Sequence, residues 1–156
     1  AGSWNPAAIP GNNAGDIVGL NNNITSAANV NLQTGNRTAG ILSIGDSNDS
    51  HAFTLSSGGA FLTLNNSGSG AQIIESGAIN DTISAPLILA DGLSTSVAGS
   101  LTISGSISET GGTRSITKTG AGSLFLSGNN SYTGTTVINV GIVSISHANA
   151  LGSTAG

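Results

Sequence analysis

A single five-residue pattern, small–x–aliphatic–x–aliphatic, occurs six times along this chain of 156 residues. It reads Gly40-Ile-Leu-Ser-Ile44, Ala60-Phe-Leu-Thr-Leu64, Ala85-Pro-Leu-Ile-Leu89, Gly99-Ser-Leu-Thr-Ile103, Gly122-Ser-Leu-Phe-Leu126 and Gly141-Ile-Val-Ser-Ile145. The intervals between successive copies are uneven, shortest from Ala85 to Gly99 and longest from Ala60 to Ala85. Alternation at period two places Leu42 and Ile44, Leu62 and Leu64, and their equivalents on a buried face. Weaker apolar segments lie between them, at Ala52–Leu55, Gln72–Ile74, Ser115–Thr117 and Thr136–Ile138. Clusters of Gly, Asn, Asp and Ser punctuate the whole, as in Gly45-Asp-Ser-Asn-Asp49 and Ser127-Gly-Asn-Asn130. Two or three short strands per coil of roughly 20 residues, with no helical stretch, predict an all-β fold, a β-solenoid of about seven coils. Coils stacked at the ordinary strand spacing would form a rod about 34 Å long. The small residue that opens each pentad fits a coil corner, where a side chain would crowd its neighbours. A β-sandwich, which also uses short, evenly spaced strands, is the alternative.

Composition excludes other classes. Disorder combines low hydrophobicity with high net charge, whereas here mean hydropathy is +0.19 and net charge only −4. Three Lys plus Arg cannot neutralise many phosphates, which excludes nucleic acid as a partner. The absence of Cys rules out a disulfide framework and a cysteine nucleophile. The sequence has no apolar run long enough to be membrane-spanning.

One stretch is closely patterned. Ile116-Thr-Lys-Thr-Gly-Ala-Gly-Ser-Leu-Phe-Leu-Ser-Gly-Asn-Asn-Ser-Tyr-Thr-Gly134, with Gly141 and Ala148-Asn-Ala-Leu-Gly152, resembles the autotransporter-associated β-strand repeat. The likeness rests on Lys118, Gly120, Gly122, Leu124, Leu126, Asn129, Tyr132, Gly134 and Thr136. It continues more loosely upstream, through Trp4, Pro10, Gly15-Asp16, Ala39–Asp46 and Ile83–Leu87, while Val140 and Ile142 depart from it. The resemblance implies that the solenoid is a right-handed parallel β-helix, exported and either secreted or displayed on the cell surface of a Gram-negative-type bacterium. No outer-membrane barrel follows Gly156, so the chain reads either as a passenger fragment or as a short protein that keeps the solenoid. Residues 1–14 are expected to form an N-terminal arm or cap, and 15–156 the solenoid, with the family repeat at 116–152.

Parallel β-helices also house glycan-cleaving enzymes, and such chemistry needs two carboxyl groups facing one cleft. Of Asp16, Asp46, Asp49, Glu75, Asp81, Asp91 and Glu109, only Asp46 and Asp49 are close in sequence, in a turn that reads as solvated. Asp46, Asn48 and Asp49 offer at most one weak calcium set. His51 and His147 have no second His or Cys at ligand spacing, and no Gly-x-Ser-x-Gly elbow or phosphate loop is complete. No catalytic, metal or cofactor site is expected. The leading expectation is a non-catalytic structural protein, a stalk or fibre subunit that assembles end to end. An adhesin passenger contacting a host surface or cell-surface glycan is the alternative, and a glycan-active enzyme the third. Ile41, Phe61, Ile88, Phe125 and Ile142 are expected to point outward, as scattered surface hydrophobes in the first reading and as a stripe aligned by coil stacking in the alternative. The expected partner is the protein itself, end to end through Trp4 and Ile9 in the arm, and laterally through Phe61 and Phe125.

Overall fold

The computed structural model describes residues 12–153. All sixteen regular elements among them are strands, and every strand pairing is parallel. Coil 1 contains β1 (Ile17–Leu20), β2 (Ala28–Asn31) and β3 (Arg37–Ala39). Coil 2 contains β4 (Ile41–Ile44), β5 (Phe53–Ser56) and β6 (Leu62–Leu64). Coil 3 has β7 (Ala71–Glu75), β8 (Asn80–Ile83) and β9 (Leu87–Leu89). Coil 4 has β10 (Leu93–Val97), β11 (Ser100–Ile103) and β12 (Ile107–Glu109). Coil 5 contributes β13 (Ile116–Thr119) and β14 (Ser123–Leu126), and coil 6 β15 (Thr136–Ile138) and β16 (Ile142–Ile145). Stacking them gives three walls. The first runs β1-β4-β7-β10-β13-β15, the second β2-β5-β8-β11-β14-β16, and the third β3-β6-β9-β12. The fold is the expected β-solenoid.

The described residues form six coils rather than about seven. Register shows why: Ile17 pairs with Ile41 and Ile116 with Thr136, but Ile41 pairs with Gln72, which makes coil 2 the long one. Coil 2 carries the extra chain in two loops, Gly45–Ala52 and Asn65–Gly70. The pentads also do not trace one wall. Gly40–Ile44 lies on the first, Ala60–Leu64 and Ala85–Leu89 on the third, and the last three on the second. The pattern encodes inside against outside, which is the same on every wall, so its uneven spacing reflects the wall changes.

Inward side chains alternate with wet ones as period two requires, for example in β4 and β9. Each fully enclosed Leu or Ile contributes roughly 1.5–3 kcal/mol. The expected outward set is excluded from the core, but its members occupy three walls and form no stripe. Phe125 neighbours Thr102 and Ser144, and Ile142 neighbours Ser123.

The corner between the first and second walls is a column of glycines, Gly77, Gly99, Gly122 and Gly141. A Cβ on Gly99 would fall well under 3.0 Å from Gly77 O, one on Gly122 from Gly99 O, and one on Gly141 from Gly122 O. The coil-corner reading of Gly99, Gly122 and Gly141 is therefore correct, and its cause is the backbone of the preceding coil.

Candidate functional site

Charge is scarce in this chain, which makes its use informative. All seven carboxylates accept backbone N–H groups. Asp16 does so within its own turn, and the other six reach a different coil or the loop of one. Asp81, in β8, takes Phe53 N at 2.7 Å. Glu75, at the end of β7, takes Ala98 N and Gly99 N at 3.0 and 2.9 Å. Asp91 takes Asn66 N and Gly68 N at 2.6 and 3.0 Å. Glu109 takes Arg114 N at 2.7 Å and Thr133 N at 3.0 Å. Asp46 takes Ile24 N at 3.1 Å, and Asp49 takes Ala78 N, also at 3.1 Å. At a corner the ladder breaks and its donors lose their strand partners, so a carboxylate that spans to the next coil satisfies them. The acids are inter-coil staples.

Their ionisation follows from this. Burial alone would raise Asp46, but the Ser50 hydroxyl and the N–H groups of Ile24, Ser50 and His51 override it and hold the carboxyl at about 2. Burial likewise opposes Glu109, yet bonds from Thr133 and Arg114 keep it below the usual range. For Glu75 and Asp81 desolvation wins, and neighbouring carboxylates add to it, so both are pushed up.

The densest polar cluster is Asp46-Asn48-Ser50-His51 in the coil-2 loop. It has the residue types of a nucleophilic triad but not the relay. Ser50 Oγ donates to Asp46 Oδ2 at 2.8 Å, and His51 Nδ1 lies 2.7 Å from that Oγ and 3.2 Å from Ile24 O. A carbonyl only accepts, so the bond to Ile24 requires the His51 proton on Nδ1, which then also faces Ser50. Asn48, with its amide nitrogen turned inward, donates to Asp46 Oδ2 and Ser50 Oγ, both at 2.7 Å. A serine base must accept the hydroxyl proton. Here the histidine donates, and the carboxylate that receives the proton is too weak a base to keep it. The cluster folds a loop; Asp46 is buried and bonded, not the solvated turn residue expected from sequence.

Among the described residues, no group of three or more His, Asp or Glu is placed to hold a metal. A shallow open groove along the first wall, lined by Ser69, Gln72, Ser94, Ser115 and Thr117 among others, contains no ionisable group.

Lys118 lies inside the solenoid, in the ladder Leu42–Ile73–Thr95–Lys118–Ile138. Its Nζ donates to Thr119 O and Gly120 O, both at 2.7 Å, and to Val140 O at 3.3 Å. Burial lowers it from the ordinary lysine value, and Glu75 opposes that. Asn130 acts across three coils, accepting from Ile107 N at 2.8 Å and donating to Ala150 O at 2.7 Å. It substitutes for the third wall, which has no strand beyond β12 among the described residues. Beside it Tyr132 is fully buried, its hydroxyl 2.7 Å from Thr136 Oγ1, and Asn149 Nδ2 donates to Asn129 Oδ1 at 2.9 Å.

The residues expected to self-associate are dispersed. Trp4 and Ile9 lie outside the described residues. Phe61 is half-buried at the start of the third wall in coil 2, and Phe125 sits exposed on the second wall in coil 5. Sequence reading placed Ile142 outward but missed the apolar set to which it belongs. Val137, Ile138, Val140, Ile142, Ile145 and Leu151 are all exposed, and all belong to coil 6. The signal was present in the density of Val and Ile from 137 to 145.

Residues 116–145 match the family model described as passenger-associated-transport-repeat. No curated protein and no solved structure matches the chain. The matched segment comprises β13, β14, β15 and β16, that is, the strands of coil 5 and those that stack on them in coil 6. The chain thus carries an autotransporter-passenger-type repeat, a structural repeat and not an enzyme family, built into the last two coils of an all-β solenoid.

Proposed function

We propose that this protein is a non-catalytic structural solenoid, secreted or displayed at the surface of a Gram-negative-type bacterium, and serving as a stalk or fibre unit. It extends end to end, through contact of coil 6 with a second copy. The passenger-type repeat supports the location, and the use of every acid as a bond acceptor supports the absence of catalysis.

One observation carries the assembly. Ile138 continues the ladder of Lys118, and Ile145 that of Leu126. Lys118 and Leu126 are 0% and 1% exposed, whereas Ile138 and Ile145 are 52% and 54% exposed. Inward positions that coil 5 encloses are thus open on coil 6 among the described residues, and call for a covering coil, which in this reading a second copy supplies. Covering both isoleucines would contribute about 2–3 kcal/mol, to which pairing of the strand edges adds. Such a head-to-tail contact does not close on itself and generates filaments.

Light scattering and electron microscopy of the wild type and of Ile138→Ser/Ile145→Ser test the proposal. Filaments or a concentration-dependent size are expected for the wild type, and folded monomers for the variant. A wild type that stays monomeric at high concentration refutes it.

A further inference from the structure

Among the described residues, Glu75 is the one carboxylate with a fully buried oxygen that receives no hydrogen bond. It points inward from the end of β7, between Ile44 and Val97, and is 2% exposed. Oε2 receives both Ala98 N and Gly99 N, while the buried Oε1 receives no N–H or O–H. The orphan oxygen faces the space beside Gly77. A Cβ there would collide with Asp49 Oδ1 and lie 3.8 Å from Glu75 Oε1, so both oxygens are within 4 Å of one point. Two ionised carboxylates sharing such a space repel, whereas a single proton between them converts the repulsion into a hydrogen bond.

We propose that Glu75 keeps its proton in the folded protein above the pH at which an ordinary glutamate loses it, and donates it through Oε1 to Asp49, latching the long loop of coil 2 onto the first corner of coil 3. Asp49 already holds that corner through Ala78 N, from a left-handed backbone at φ 56°. The charges facing Glu75 are Asp49 from the loop, Asp81 from β8 and Lys118 from β13, while Asp46 acts on Asp81. The Lys118 ammonium is committed to three carbonyls, so carboxylates dominate the corner. Desolvation and the repulsion of Asp81 and Asp49 act in the same direction on Glu75, against the bonds from Gly99 and Ala98. The unfolded chain releases this proton at the ordinary glutamate value and the folded chain holds it longer. The stability it supplies is therefore complete below the ordinary value and is lost as pH rises through the folded one.

The chain has only two glutamates, Glu75 and Glu109, so carboxyl-13C-labelled glutamate gives two assignable NMR signals. The Glu75 carbon is expected to remain protonated at pH values where the Glu109 carbon has completed its titration. Asp49→Asn, an exposed substitution that keeps an oxygen for Ala78 N, is expected to move the Glu75 transition to lower pH. Glu75→Gln places an amide where the proton sits, and is expected to remove the decline in stability as pH rises past the ordinary glutamate value. Coincident titration of both glutamates overturns the latch, as does a Glu75 transition unmoved by Asp49→Asn. A Glu75 signal that responds to added calcium rather than to pH assigns the space to a cation, and equally overturns it.

Discussion

Replacing Asn130 with Ala is the sharpest test of how coils 4, 5 and 6 are held where the third wall lacks strands. The side chain is buried and makes two hydrogen bonds, accepting from Ile107 N and donating to Ala150 O. Truncation strands one buried N–H and one buried C=O, and each orphan costs about 1–3 kcal/mol. A further small loss comes from the void. The sum is about 2–6 kcal/mol, equivalent to a fall in melting temperature of roughly 5–25 °C for a domain of this size. Asn130→Asp refines the reading, because it keeps the acceptor for Ile107 but puts a second acceptor, with a buried charge, against Ala150 O. It should cost at least as much at neutral pH, and part of that cost should disappear on acidification. Urea titration by circular dichroism and amide exchange of Ile107 are the measurements. An Asn130→Ala variant within about 0.5 kcal/mol of wild type, with Ile107 exchange unchanged, would show that the ladder closes without this side chain.

Three further outcomes follow from the same geometry. Gly122→Ala drives a Cβ into the carbonyl of Gly99 and should cost about 2–3 kcal/mol, whereas Gly92→Ala, whose Cβ meets nothing nearer than Ser115 O at 3.8 Å, should be near neutral in thermal melts. Asp46 is held at about 2 against an ordinary 3.8, so its contribution is present above the ordinary value and lost as pH falls from about 4 toward 2; Asp46→Asn should lower stability at pH 7 and flatten that acid limb in denaturation curves. A serine-directed fluorophosphonate should leave Ser50 unlabelled by mass spectrometry, since His51 Nδ1 donates toward the hydroxyl; labelling at Ser50 alone, lost in His51→Ala, would show a working base.

The strands that could be read from the sequence are those whose inward residues are aliphatic. Leu62 and Leu64, or Leu124 and Leu126, declare themselves because their outward neighbours are Thr and Phe or Ser. Two of the strands that escaped carry polar residues inward. β8 places Asp81 in the core and β10 places Thr95 there, so neither displays the alternation that period two leads one to seek. A pentad also cannot say which wall it occupies, and coil length was therefore misjudged where the coil-2 loop intervenes. The staples were hidden for a related reason. Glu75 meets Gly99, Asp91 meets Asn66 and Asp81 meets Phe53, at separations of 24, 25 and 28 residues. These are coil lengths, and only a known coil period turns such pairs into neighbours. Lys118 was legible as a residue of the repeat, although not as an interior one.

Because each coil touches only its neighbours, this molecule has a defined mechanical response. Pulled from its C-terminal side, it unzips one coil at a time, and every strand rupture is of the peeling kind rather than shear. The released contour is quantised by the register, one step for each return of the chain to the same wall. At about 3.5 Å of extended chain per residue, the stretch from Ile116 to Thr136 gives a step of roughly 70 Å, and that from Leu93 to Ile116 roughly 80 Å. The stretch from Ile41 to Gln72 gives roughly 110 Å. The long coil, fastened by Asp46 and Asp49, is the largest extensible reserve in the rod and one of the last to be drawn out.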